Sequence, residues 1–179
     1  MQQEFIFAGF GGQGVLLMGQ ILAHAAMDEG KSVSWIPSYG PEMRGGTANC
    51  TVIVSESEIG SPVVGKPSCV VAMNLPSLDK FEPAVKSGGV LVVNSSLITR
   101  EPDRDDVTVV NVPATDTANE LGNARVANMV ALGAVVEATG VVPPEAVLEA
   151  LRKNLPAHRQ NLLPLNREAI EKGRGAVKK

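Results

Sequence analysis

Cysteine is scarce in this chain: Cys50 and Cys69 are the only two in 179 residues, and they form no C-x-x-C pair. Two thiols cannot by themselves supply the four thiolates of an ordinary iron–sulfur cluster. Each sits in strand-like apolar context, which suits a buried reduced thiol better than a disulfide. Histidine is as sparse, since His24 and His158 stand far apart without ligand-spaced companions. No metal site is expected, and both read as helix-surface or interface residues. Aromatic residues number four Phe, one Tyr and one Trp, and the formal charge is −3. That leaves neither a stacking platform nor a basic field for nucleic acid. The basic tail of Lys172, Arg174, Lys178 and Lys179 reads as a solvated terminus. No apolar run approaches the ~20 residues of a membrane span, and the amino terminus lacks the basic-then-apolar order of a signal peptide. A cytoplasmic protein without membrane contact is expected. Also missing are a lysine after the glycines, as a nucleotide-hydrolysing phosphate loop requires, and a G-x-S-x-G nucleophile elbow. No self-contained catalytic apparatus is visible.

What is present is an alternation of strand-like and helix-like segments around an aliphatic core of Ala, Val and Leu. Residues 3–8 read as a strand, Val15 to Met27 as a helix with a broad apolar face, and Ser32 to Ile36 as a second strand ended by Pro37. These three form an expected βαβ unit. Ala48 to Ser55 alternates as a third strand, with a turn at 58–62 and a short return after it. Cys69 to Met73, Val90 to Asn94 and Val107 to Val112 are further buried strands. Pro76 to Lys86 reads as a short helix, and the charged stretch Arg100 to Asp106 as an exposed loop. Ala114 to Leu121, Asn123 to Thr139 and a Pro-opened segment to Asn154 are helical, and small residues in the second imply close packing. A last helix, interrupted by Pro164, covers Leu165 to Lys172. The expected fold is α/β, a three-layer αβα arrangement with a mostly parallel Rossmann-like sheet. One domain spans 1–179, with a helical C-terminal appendage from about 141.

Two glycine-rich loops should open at the carboxyl edge of the sheet, where ligands collect in such folds. Gly9, Gly11 and Gly14 follow the G-x-G-x-x-G spacing between a strand and a helix, so the amides of Gly11, Gly12, Gln13 and Gly14 could receive a phosphate. A nicotinamide or flavin site should also place an acid at the end of the second strand, where this chain has Ile36, Pro37 and Ser38. An autonomous nucleotide-binding oxidoreductase is therefore disfavoured, and a structural tight turn or another phosphate ligand remains. The second loop holds Tyr39, Glu42, Arg44, Gly45 and Gly46. Arg44 offers a planar fork for phosphate or carboxylate, and Gly45 and Gly46 allow close approach. In the alternative, Glu42 and Arg44 pair with each other and only fix the loop.

GFGGQGV at 9–15, SYGPEMRGGTANC at 38–50 and EIGSPVV at 58–64 resemble the gamma subunit of 2-oxoacid:ferredoxin oxidoreductases. The resemblance covers residues 4–140 and continues more weakly to the tail. Thr-Ala-Asn-Cys looks most like the 2-oxoglutarate enzymes, with 2-oxoisovalerate as the near alternative. It implies a non-catalytic, Rossmann-like subunit of a hetero-oligomer that oxidatively decarboxylates a 2-oxoacid to its acyl-coenzyme A and reduces ferredoxin. Alpha, beta and ferredoxin-like subunits are the implied partners, and thiamine diphosphate, magnesium and [4Fe–4S] clusters would lie on them. Coenzyme A would suit Gly11 to Gly14 and Arg44, with Tyr39 against its adenine or pantetheine arm. In the alternative, both loops grip only a partner subunit.

Overall fold

A computed structural model describes residues 1–38 and 47–177 of the chain. Six strands form one sheet: β1 (Gln2–Phe10), β2 (Ser32–Ser38), β3 (Thr47–Ser55), β4 (Cys69–Ala72), β5 (Val90–Asn94) and β6 (Thr108–Val112). Their spatial order is β2-β3-β1-β4-β5-β6. Strands β1, β4, β5 and β6 pair in parallel, and β3 alone runs against its neighbours. The sheet is thus mostly parallel, as the aliphatic strands predict.

The expected βαβ unit is not formed, because β3 enters between β1 and β2 and pairs with both. Helix α1 (Val15–Asp28) therefore crosses over to an edge strand. Pattern alone cannot reveal this, since β3 alternates equally well beside either neighbour. The short return strand expected after residue 62 is absent, and residues 58–68 follow an irregular course.

The two sheet faces are unequally covered. One side of the strands presents Phe5, Phe7, Cys50, Val52, Val71 and Val92 to the main core, roofed by α1 and by α4 (Ala127–Thr139). Burying each phenylalanine contributes roughly 1.5–3 kcal/mol. Helix α4 is buried along the whole run from Ala127 to Val136, as expected of a helix apolar on all sides. Behind it, α5 (Pro144–Asn154) packs on α1, and α3 (Ala114–Glu120) and α6 (Leu163–Gly175) on α4. The α4–α6 crossing is close: a Cβ placed on Gly173 would collide with the Val130 carbonyl, and one on Gly133 with the Ile170 carbonyl. Pro164 opens α6 instead of interrupting it, because a proline in the first turn has no intrahelical donor to lose.

The opposite face carries a smaller core of Ile6, Ala8, Val70, Leu78, Leu91 and Val93. Its cover is α2 (Leu75–Phe81), shorter than expected because the chain tightens into a 3₁₀ turn at Glu82–Ala84. A similar turn at Ala124–Val126 precedes α4, which therefore starts later than Asn123. Between β5 and β6 the charged loop is pinned rather than free. Arg100 donates to Glu82 (2.7 Å) and Asp79 (2.9 Å), while Arg104 donates to the carbonyls of Glu82 and Val85, each at 3.0 Å. The Arg104 guanidinium also draws the Asp106 carboxyl down to about 2.

Candidate functional site

Adjacent strands β1 and β4 send their connections to opposite faces. After β1 the chain enters α1 over the larger core; after β4 it enters α2, whose Leu78 belongs to the smaller one. Such a divergence opens a crevice at the carboxyl ends of the strands, the usual ligand position in open α/β sheets. The turn Gly9–Gly14 forms one wall of that crevice.

Gly14 adopts φ +73° and leads into α1 without a side-chain cap. Its left-handed backbone already favours glycine, and a Cβ there would also strike the Asn128 side chain. Asn128 Nδ2 donates to the Gly14 carbonyl (3.3 Å), which brings the start of α4 against the start of α1. Their positive dipole ends converge here. Gly11 and Gly12 are exposed, and no described residue accepts from their amides. At φ +92°, Gly12 has nothing within 4 Å of where a Cβ would stand, so its outer side is open. The amides of Gly11 and Gly12 are therefore without an acceptor among the described residues, on a turn with an open outer side.

The Gln13 backbone N–H donates to the Phe10 carbonyl (3.1 Å), and its side chain also bonds within the protein. Its Oε1 accepts from the Phe10 N–H (2.6 Å), and its Nε2 donates to the Met73 carbonyl (3.3 Å). Behind it, buried Asn94 donates to the same carbonyl (3.2 Å) and to Thr115 Oγ1 (3.0 Å), and accepts from the Thr115 N–H (3.4 Å). Asn74 Oδ1 caps α2 through the Ser77 N–H (3.0 Å). Sequence reasoning passes over Asn74, Asn94 and Asn128; the signal it has is an asparagine at the end of two strands and at the head of a helix. It misses Arg125 too. That residue stands exposed immediately ahead of α4, three residues before Asn128, and no described carboxylate pairs with it.

Tyr39, Glu42, Arg44, Gly45 and Gly46 lie outside the described residues. Their flanks are placed: Thr47 pairs with Phe10, Ala48 with Gly9, and Ser38 with Asn49. The second loop thus begins and ends at the edge that carries the glycine turn. A conventional dinucleotide site is further weakened, because β2, where the ribose acid would stand, is separated from β1 by a strand.

The remaining reactive groups lie away from the crevice. Cys50 and Cys69 are free and buried, and desolvation pushes each thiol up to about 12, with Trp35 partly offsetting it at Cys50. Such thiols are inert. His24 borders a shallow groove of about 300 Å³ with Met27, Val33 and Trp35, whereas His158 is exposed. Among the described residues no cluster of three or more His, Cys, Asp or Glu could hold a metal, and no helix is long and apolar enough to cross a membrane.

The model of the pyruvate ferredoxin/flavodoxin oxidoreductase family matches residues 4–176. The chain belongs to this family. The ketoisovalerate oxidoreductase subunit VorA of Methanothermobacter thermautotrophicus is 43% identical over 168 residues, covering 93% of this chain and 34% of that one. The chain thus spans about a third of that relative's length. The 2-oxoglutarate synthase subunit KorC of Methanothermobacter marburgensis is 39% identical over 97% of this chain and 99% of its own. Among solved structures, a keto/oxoacid ferredoxin oxidoreductase gamma subunit from Geobacter sulfurreducens superposes with a TM-score of 0.84 at 37% identity over 97% of each chain. A 2-oxoglutarate:ferredoxin oxidoreductase from Magnetococcus marinus, solved with 2-oxoglutarate, coenzyme A and succinyl-CoA bound, gives 0.89 at 26% identity over 99% of this chain and 32% of that one. The resemblance to gamma subunits read from the glycine motifs therefore holds over nearly the whole chain.

Proposed function

We propose that this chain is the gamma subunit of a 2-oxoacid:ferredoxin oxidoreductase and that its glycine turn helps to bind coenzyme A. The observation that carries the proposal is the near end-to-end match to a gamma subunit, 37% identical over 97% of both chains. The turn fits an anionic group: Gly11 and Gly12 present exposed amides beside the uncapped start of α1, with Arg125 close in sequence to the Asn128 contact. Arg44 is the second candidate cation. Coenzyme A, when bound, supplies the thiol that takes the acyl group. The work of this chain is to hold its phosphates and to exclude other orientations.

Thiamine diphosphate, magnesium and [4Fe–4S] clusters belong, on this reading, to alpha, beta and ferredoxin-like partners, and ferredoxin receives the electrons. Cys50 and Cys69 are too few and too buried to ligate a cluster here. The substrate is 2-oxoglutarate or a branched 2-oxoacid such as ketoisovalerate, since relatives named for both are similar over nearly the whole chain. We favour 2-oxoglutarate because the KorC subunit is matched along its full extent. A cytoplasmic location follows from ferredoxin as acceptor.

Anaerobic purification of the native assembly tests the proposal. The chain should co-purify with a thiamine-dependent subunit and support coenzyme A-dependent ferredoxin reduction by a 2-oxoacid. Isolation of the chain alone would reject it. A second reading, a subunit that contributes interface only, draws on the apolar groove of Ala23, Val33 and Trp35 beside the exposed Met27. It expects binding of coenzyme A to be indifferent to every substitution in the glycine turn.

A further inference from the structure

In a parallel ladder the rung that follows Met73 N–H to Ala8 C=O (2.9 Å) is Phe10 N–H to Met73 C=O. That rung is not made directly. The Gln13 carboxamide stands inside it, its Oε1 taking the Phe10 N–H at 2.6 Å and its Nε2 donating to the Met73 carbonyl at 3.3 Å. We infer that Gln13 is a positioning residue: a side-chain amide wedged between the ends of β1 and β4, which sets the width of the switch-point crevice and turns the Gly11 and Gly12 amides outward.

Three observations support the wedge. The side chain satisfies both backbone groups that the splayed strands would leave unpaired, so opening the crevice costs no hydrogen bond. Its Oε1 lies 2.6 Å from where a Cβ on Gly9 would stand, so the turn is shaped around it. Asn94 braces the far side, donating to the same Met73 carbonyl at 3.2 Å and to Thr115 at 3.0 Å. The chemistry demands glutamine. Glutamate keeps the length and the acceptor but loses the donor toward Met73, and asparagine is one methylene short of spanning the gap.

This inference rests on the coenzyme A reading and is tested in the assembled complex by calorimetric binding of coenzyme A without 2-oxoacid, alongside steady-state kinetics. With Gln13→Ala the strands can close onto each other, and with Gln13→Glu a carboxylate faces a carbonyl oxygen. Both should weaken coenzyme A binding about 10-fold or more and raise its KM in parallel, while kcat at saturating coenzyme A and the KM for the 2-oxoacid stay within about twofold. Gly12→Val serves as the reference, since it blocks the open side of the turn without touching the wedge. Unchanged binding in an assembled Gln13 variant, with Gly12→Val still impaired, overturns the wedge alone. Unchanged binding in all three overturns the coenzyme A reading itself. Loss of assembly in both Gln13 variants makes the residue one of folding and also overturns the positioning role.

Discussion

At the scale of single residues, charge and protonation separate the site from the scaffold. Arg125 stands exposed beside the converging starts of α1 and α4 without a described acidic partner. If it holds a coenzyme A phosphate, Arg125→Gln should cost about 1.5–3 kcal/mol, the scale of a charged hydrogen bond, or roughly 10-fold or more in affinity by calorimetry. Arg44→Ala tests the second loop in the same way. The thiols answer to pH instead. Cys50 and Cys69 are raised to about 12 from an ordinary 9.0, so each stays protonated in the folded chain where the unfolded one ionises. Their contribution is complete below pH 9 and is lost as pH rises toward 12, because the unfolded state binds fewer protons in that window. Denaturant titrations should therefore show stability falling from pH 9 upward, less steeply in Cys69→Ala once its own packing loss is subtracted. Native protein at pH 8 should resist alkylation at both positions.

Among the elements, the α4–α6 crossing has the least room. Gly173→Ala would set a methyl group against the Val130 carbonyl, a backbone atom that cannot rotate away. Overpacking of this kind costs about 1–3 kcal/mol, and each kcal/mol lowers the midpoint of a chain this size by roughly 2–4 °C in a thermal melt. The small residues of α4 announce close packing in the sequence, since a helix apolar all round must be covered on every side. Other boundaries are less legible. Pro164 opens α6 because its effect depends on whether helix precedes it, and local sequence does not say. The stop of α2 at Phe81 follows from Pro83, which is local, but the pinning of Glu82 by Arg100 and Arg104 across about twenty residues is not. Asn94 and Asn128 also act through partners distant in the chain, Met73 at 21 residues and Gly14 at 114. The glycine turn is readable because its spacing is local. The side-chain role of Gln13 within that motif is not readable locally, because its partner Met73 lies 60 residues away.

For the molecule as a whole, the two faces of the sheet divide the labour. The thick face, with α1, α4, α5 and α6, supplies most of the buried apolar area; the thin one is held by α2 and the Arg100–Asp106 clasp. Arg104→Gln should loosen the thin face first, seen as faster amide hydrogen exchange in residues 82–107 with the α4 amides unchanged. Topology is the part of the fold least open to sequence reading. The alternation of strands and helices is correct, yet the seat of β3 depends on a pairing with β1 that spans tens of residues. The Gln13 wedge has a last consequence, for how such chains tolerate change in length. A side chain that must reach Phe10 and Met73 at once fixes the spacing from Gly9 to Gly14 to the residue. The irregular segment 58–66 is mostly exposed, with open space around Gly60 and Gly65, and lengthening such a loop adds cost only slowly, about 0.6 kcal/mol per doubling. Inserting two glycines there should leave the thermal midpoint within about 2 °C, while one glycine inserted after Gly11 should lower it severalfold more; natural variation in length should follow the same divide.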